Sequence, residues 1–459
     1  MRLRPFALLL LVATLSAALI LPAALHPLAP WGVAWADDDD DDDDDDNDAP
    51  SGARGRDDDS GGGPGPRAGS GGNFLRNLFG QPRQVRRSTP APPPPAFVAD
   101  EIVALSLTVE DLAALTAQGF SVIEELAVPG LSATPRRLRV PPGIALADAR
   151  AAVRALTSGQ DADLNHYYRA EAGFATDCRG ADCPARQTIG WPRLPVREGT
   201  CGASVPIGMI DTGINEAHET FDGARIELHR LSPEGFDPSR AVHGTAVAAL
   251  LVGDPATRAP GLVPGARLVA VDAFHRAGAD ERADVFTLVE ALGFLAGQGV
   301  RVINLSLAGP DNGVLSEAIG QLVGTHDIVV VSAAGNGGPN AQPAYPAAYE
   351  PVIAVTAVDR AGRVYRRAVQ GAHIDLAAPG VDVWTAASVR GARWKTGTSF
   401  AVPFVSAAAA ILREARPDLT AAEVGDELRR RARDLGPLGH DAVFGAGLLN
   451  LGTLCGDKT

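Results

Sequence analysis

The chain has 459 residues, 46% of them hydrophobic, which is ample for a large core and for two or three domains. Its formal net charge of -14 is inflated by ten consecutive aspartates, residues 37–46; without them the balance would be -4, so the acidity says little about a substrate. A small basic cluster at Arg83, Arg86 and Arg87 stands beside prolines and makes no case for nucleic acid.

Residues 1–36 carry Arg2 and Arg4, an apolar run over 6–25, and Ala34-Trp35-Ala36, a small-x-small cleavage site. This is the pattern of a secretory signal; an uncleaved membrane anchor is the alternative, and the cleavage site weighs against it. No second long apolar segment follows, so the mature chain is expected to be soluble, free of membrane once the signal is cut, and secreted or periplasmic. Residues 37–96, the aspartate tract and a Gly/Pro/Ser/Arg-rich stretch, have little to bury and are expected to be a disordered, self-repelling linker. The other reading of the tract is a weak calcium-attracting tail.

Residues 97–168 have their own periodicity. Strands are expected over 98–107, 120–128, 137–140 and 164–168, and helices over 108–118 and 146–156, the first capped by Thr108 with Glu110 and Asp111 in its first turn. Strand, helix, strand, strand, helix, strand is the split βαβ plan of a small ferredoxin-like α+β domain. A linker with a cysteine pair, residues 169–186, separates it from residues 187–459. There, strand candidates at 205–210, 267–273, 300–305, 327–333 and 352–358 alternate with helices near 245–251, 284–296 and 312–323. Such alternation predicts a doubly wound α/β parallel sheet with helices on both faces and chemistry at the carboxyl ends of its strands.

Gly397-Thr398-Ser399-Phe400-Ala401-Val402-Pro403 leads into a charge-free segment that ends at Leu412. A buried helix with a serine at its mouth is the expectation, Pro403 falling in the first turn where a missing N–H costs little. Unpaired N–H groups there favour developing negative charge beside Ser399. A serine nucleophile needs a base and a carboxylate to orient it. His243 opens an apolar run that continues to Leu251, and Asp211 directly follows the apolar strand, before Thr212-Gly213. Asn336, after the buried strand that leads to Gly335, is placed as an amide donor to an oxyanion. Each residue alone reads as a turn or cap residue; the conjunction, in the order Asp, His, Ser, does not.

These motifs resemble the subtilisin-like serine proteases, the subtilases, over roughly residues 187–447. The resemblance implies Asp211, His243 and Ser399 as a catalytic triad and Asn336 as the oxyanion side chain. Asn304-Leu305-Ser306-Leu307-Ala308-Gly309 resembles the family's substrate strand, with Ala308 where glycine is common, and Gly335 joins Ser306, Leu307, Ala308 and Gly309 as substrate-binding positions. Residues 97–168 resemble the family's propeptides, which aid folding and inhibit; an unrelated small binding domain is the alternative. His218 is read as structural. No metal site or cofactor is expected, and calcium, held on loops in this family, has no matching residues to assign.

Cys178, Cys183, Cys201 and Cys455 make an even set in an exported chain, where zinc is a poor reading. The favoured pairing joins Cys178 to Cys183 across a turn-like interval and Cys201 to Cys455. The expected protein is a monomeric secreted serine endopeptidase acting on protein or peptide substrates through an acyl-enzyme, partnered by its own propeptide-like domain and cut between residues 166 and 187. The competing readings are a non-catalytic binding or scaffolding protein on the same fold, and an esterase or transferase using the same acyl chemistry.

Overall fold

A computed structural model of the protein describes residues 94–128, 131, 133–170, 184–191, 201–231 and 235–452. The expected signal, aspartate tract, Cys178, Cys183, Cys455 and most of the 169–186 linker lie outside the described residues.

The first described unit runs β1 (Phe97–Ala104), α1 (Val109–Ala117), β2 (Ser121–Glu125), β3 (Arg136–Arg139), α2 (Leu146–Arg154) and β4 (Asp163–Ala170). Thr108 caps α1 by accepting from the Asp111 N–H, and Asp111 in turn accepts from the Ser158 N–H and hydroxyl. The strands pair antiparallel in the order β2-β3-β1-β4, the ferredoxin-like plan expected from the pattern. Only the second half of β1, Glu101–Ala104, is buried, and there its residues alternate between two cores. Ile102 and Ala104 pack with Leu115, Leu138 and Val153 in the small unit's own core, while Val103 and the following Leu105 join a cluster of the larger domain.

The larger domain continues with α3 (Pro184–Thr188), β5 (Ile207–Asp211), β6 (Arg225–Arg230), β7 (Asp237–Pro238), α4 (His243–Val252), β8 (Arg267–Asp272), β9 (His275–Ala277) and β10 (Asp280–Asp284). It then runs α5 (Val285–Gly297), β11 (Val302–Leu305), β12 (Leu307–Ala308), α6 (Gly313–Gly324), β13 (Val329–Ala333), β14 (Ile353–Val358), β15 (Leu376–Pro379), β16 (Val383–Ala386), β17 (Ala392–Lys395), α7 (Val402–Ala415) and α8 (Ala421–Arg431). Seven strands form one parallel sheet in the order β15-β14-β13-β11-β5-β8-β6. One hydrophobic cluster takes in α4 and α7 on one face, the other takes in α5 and α6. The strand order reverses between β5 and β11, which is where an open α/β sheet forms its crevice.

One boundary departs from the sequence reading. β4 runs on through Arg169 and Ala170, assigned above to the linker, because those residues pair antiparallel with Ala308 and Leu307 of β12. β4 also pairs with β10, Tyr168 opposite Ala283 and Tyr167 opposite Asp284, so the small sheet continues into the larger domain as β4-β10-β9-β7. The sequence reading found none of β6, β7, β9, β10, β15, β16 or β17, whereas β12 falls in the stretch read as the substrate strand. No helix among the described residues is long and apolar enough to cross a membrane.

Candidate active site

Asp211 is the last residue of β5, a strand buried throughout, and His243 is the first residue of α4. The sequence reading set Asp211 just past the strand; the ladder with β8 holds it in, opposite Asp272. His243 Nδ1 lies 2.7 Å from Asp211 Oδ1, and both side chains are buried. A carboxylate only accepts, so this bond puts the proton on Nδ1 and leaves Nε2 as the basic nitrogen. Asp211 Oδ1 also accepts from the Thr212 N–H at 2.7 Å. Thr212 Oγ1 accepts from the Gly244 N–H at 2.9 Å, tying the turn after the aspartate to the helix that begins with the histidine. A Cβ on Gly244 would stand 2.3 Å from the Thr212 carbonyl oxygen, so only glycine allows that approach.

Ser399 is buried in a short 3₁₀ turn, Thr398–Phe400, that precedes α7, rather than capping the α-helix itself. Every residue from Phe400 to Leu412 is buried, which explains the charge-free stretch. The Phe400 and His243 rings are 5.3 Å apart, centroid to centroid, which sets the serine turn against the start of α4.

Asn336 Oδ1 accepts from both the N–H and the hydroxyl of Thr398 at 3.1 Å, which turns its Nδ2 the other way. The Thr398 hydroxyl oxygen accepts from the Gly335 N–H at 3.1 Å. Gly335 has φ +95°, and a Cβ there would meet Ala344 at 2.9 Å, so the turn that delivers Asn336 needs glycine.

The hydroxyl of Ser306 points inward and donates to the Ser399 carbonyl at 2.8 Å. Asn304 Nδ2 donates to Ser306 Oγ at 3.0 Å, and Ser406 of α7 donates to Asn304 Oδ1 at 3.0 Å. This buried chain fixes the main chain at Ser399 from beneath. Leu307 and Ala308 hold β4 by their main chain, and Gly309 exchanges two hydrogen bonds with Tyr345, at 2.8 and 3.0 Å. The Tyr168 ring lies so close to Gly309 that a Cβ there would meet its Cδ1 at 2.4 Å, and the Tyr168 hydroxyl donates to the Pro310 carbonyl at 2.9 Å.

Sequence reasoning missed a second buried acid beside the first. Asp272, at the end of β8, accepts from Ser239 Oγ at 2.8 Å, and Ser239 Oγ accepts from the Gly213 N–H at 2.7 Å, which anchors the loop after Asp211. Burial pushes the Asp272 carboxyl up to about 6, against the lowering effect of the Ser239 and Phe274 bonds. Burial also raises Glu281, which accepts from the Arg240 N–H and lies in the field of His243 and Asp211. Only the order of Asp211 and Asp272 at the ends of two apolar strands could have flagged the pair. His218, read as structural, accepts from the Thr220 N–H and bonds the Gly391 carbonyl at 3.1 Å. Cys201 is disulfide-bonded; the other three cysteines lie outside the described residues.

A parallel α/β sheet with an aspartate–histidine pair and a serine-bearing turn at its carboxyl edge belongs to the class of serine hydrolases. The family description "Subtilase family" matches residues 202–447, more than half of the chain, and the chain belongs to that family: it is a subtilisin-like serine protease. It is 33% identical over 262 residues to subtilisin DY of Bacillus licheniformis, an alignment covering 55% of this chain and 92% of that protein. It is 34% identical over 220 residues to the thermophilic serine proteinase of Bacillus sp. (strain AK1), covering 47% of this chain and 53% of that one. Among solved structures, fervidolysin from Fervidobacterium pennivorans, a keratinolytic enzyme related to subtilisin, shares the fold with a TM-score of 0.65 and 21% identity. That superposition covers 78% of this chain and 60% of fervidolysin.

Proposed function

We propose that the protein is exported as an inhibited precursor of a serine endopeptidase and that Ser399, His243 and Asp211 are its triad. The observation that carries this reading is the 2.7 Å bond between His243 Nδ1 and Asp211 Oδ1 beside the serine turn. With Nδ1–H held by Asp211, His243 Nε2 takes the proton as Ser399 Oγ attacks the substrate carbonyl carbon. Asn336 Nδ2 and the Ser399 N–H stabilise the oxyanion, and the protonated His243 then gives its proton to the leaving amine. Water repeats the sequence on the acyl-enzyme. The chemistry needs no cofactor, and a monomer suffices for it.

The pairing of Arg169 and Ala170 with the main chain of Ala308 and Leu307 supports the view that residues 97–170 form a propeptide-like domain lying on the substrate strand. Because β4 is continuous through Ala170, the activating cut is placed after it and before residue 187, in a segment mostly outside the described residues. The leader and the cysteines support export to a secreted or periplasmic site, with Cys178–Cys183 and Cys201–Cys455 as the proposed bridges; non-reducing peptide mapping tests them.

A fluorophosphonate probe followed by peptide mapping tests the triad. Label on Ser399, absent from the His243→Ala variant, is the expected result; label elsewhere, or none on protein that cleaves casein, would sink the assignment.

A further inference from the structure

Resting on the reading of β4 as a strand laid along the substrate site, we propose that Asp280 is a specificity-determining residue that selects substrates with an arginine at the position taken here by Arg169. β4 is held there twice, by main-chain pairing with Leu307 and Ala308 and by a side-chain fork. Arg169 Nε donates to Asp280 Oδ1 at 2.8 Å and its Nη2 to Oδ2 at 3.0 Å, the two-point geometry that distinguishes guanidinium from other cations. Both partners are largely withdrawn from water, with side-chain exposures of 22% and 15%.

Asp280 does not depend on the small domain for its own position. It starts β10, pairs with Ala277 of β9, and shares Oδ2 with Arg282 Nη1 at 2.9 Å. Arg282 also packs face-on over the Tyr167 ring at 3.9 Å, a contact that goes with β4, so the β9-β10 pairing is what holds Asp280. A carboxylate oriented by its own hairpin stays in place when β4 leaves, and Oδ1 is then open to the next basic chain. Nor is the arginine captured only by the acid: its Nη2 also donates to the Pro95 carbonyl of the small unit, a contact that an incoming peptide would not supply. The preceding residue, Tyr168, sets the register, since its buried ring and its bond to the Pro310 carbonyl fix which side chain faces Asp280. An extended substrate with an aromatic residue followed by arginine would occupy the same two points.

The test uses active enzyme recovered from the full-length chain and two peptide pools. The pools share a fixed tyrosine and are randomised toward the cleaved bond; they differ only in having arginine or glutamate directly after the tyrosine, with cut sites mapped by mass spectrometry. The arginine pool should be cleaved with a kcat/KM higher by about tenfold or more. Asp280→Asn should shrink that ratio and Asp280→Lys should reverse it, each variant being shown competent by fluorophosphonate labelling. Equal rates on the two pools with the unaltered enzyme, or an unchanged ratio in a labelled Asp280 variant, would overturn the proposal and leave the protease reading intact. Absence of labelling and of cleavage in the unaltered enzyme would instead defeat the protease reading.

Discussion

The seven parallel strands and the β1-β4-β10 seam use their side chains in different ways. β5, β11, β13, β14 and β15 are buried at every position, and the side chains that fill the space between sheet and helices are almost all Val, Ile, Leu and Ala. At the seam, Val103, Leu105 and Tyr168 supply apolar contact, but much of the joining is polar. Asn165 accepts from the Phe286 N–H at the start of α5; Asn312 caps α6 and donates to the Leu164 carbonyl; Arg169 forks onto Asp280. Water can replace such bonds when two surfaces part, whereas it cannot replace apolar burial. Under the precursor reading, one sheet persists and the other separates.

The largest way to break the contrast is to leave both sheets whole and remove the chemistry. Ser399→Ala should lower turnover on a protein substrate by several orders of magnitude and leave the precursor uncut, since a buried hydroxyl is lost and nothing is added. Gel analysis of secreted chain together with turnover checks it; normal maturation in the variant would mean another protein does the cutting.

A test within the persistent sheet concerns pH. Asp272 has a folded-state value near 6 against an ordinary 3.8, so its protonated form favours the fold. Its contribution is full below about pH 4 and is lost as pH rises through 6. Asp272→Asn keeps an acceptor for Ser239 and cannot ionise, so its stability relative to the parent should rise by up to about 3 kcal/mol between pH 4 and pH 7. Urea melts in the Ser399→Ala background, which avoids self-digestion, measure it; a difference that stays flat with pH would refute the burial argument.

Arg169→Ala tests the seam. Removing a two-point charged bond should weaken the hold on β4 by about 2 kcal/mol and hasten appearance of activity, while the melt of the peptidase domain stays unchanged. Progress curves of maturation are the readout. The smallest effect is expected at the α8 capping box, where Thr420 and Glu423 bond each other's main chain. Thr420→Ala should cost about 1 kcal/mol, seen as a small fall in the urea midpoint with activity retained.

What the sequence made legible follows the same divide. Ile207–Asp211, Val329–Ala333 and Ile353–Val358 announce themselves because strands covered on both faces are continuous apolar runs. Arg225–Arg230 does not, since it is the sheet's edge strand and largely exposed. Asp280–Asp284 reads as a charged loop, Asp-Glu-Arg-Ala-Asp, yet it forms a strand by pairing with β9, with Asp280 and Glu281 taken up by Arg282, Arg169 and the Arg240 N–H. At the site, Asp211, His243 and Ser399 could be named from their motifs. The bonds that steady them, from Ser306 to the serine main chain, from Ser406 to Asn304, and from Ser239 and Asp272 beside the aspartate, join residues far apart in sequence, and no local pattern encodes them.

The pairing of Arg169 and Ala170 with β12 has a consequence for mass action. Under the precursor reading, the blocking strand of the uncut chain is tethered to the strand it blocks and is present at an effective concentration on the order of millimolar, whatever the dilution of the protein. Once the tether is severed, its occupancy falls under the bulk concentration of the freed domain. Under the precursor reading, the same cut then has different outcomes by volume: enzyme released into a large space is activated by dilution alone, and enzyme held in a confined space stays partly occupied by the fragment it has just released.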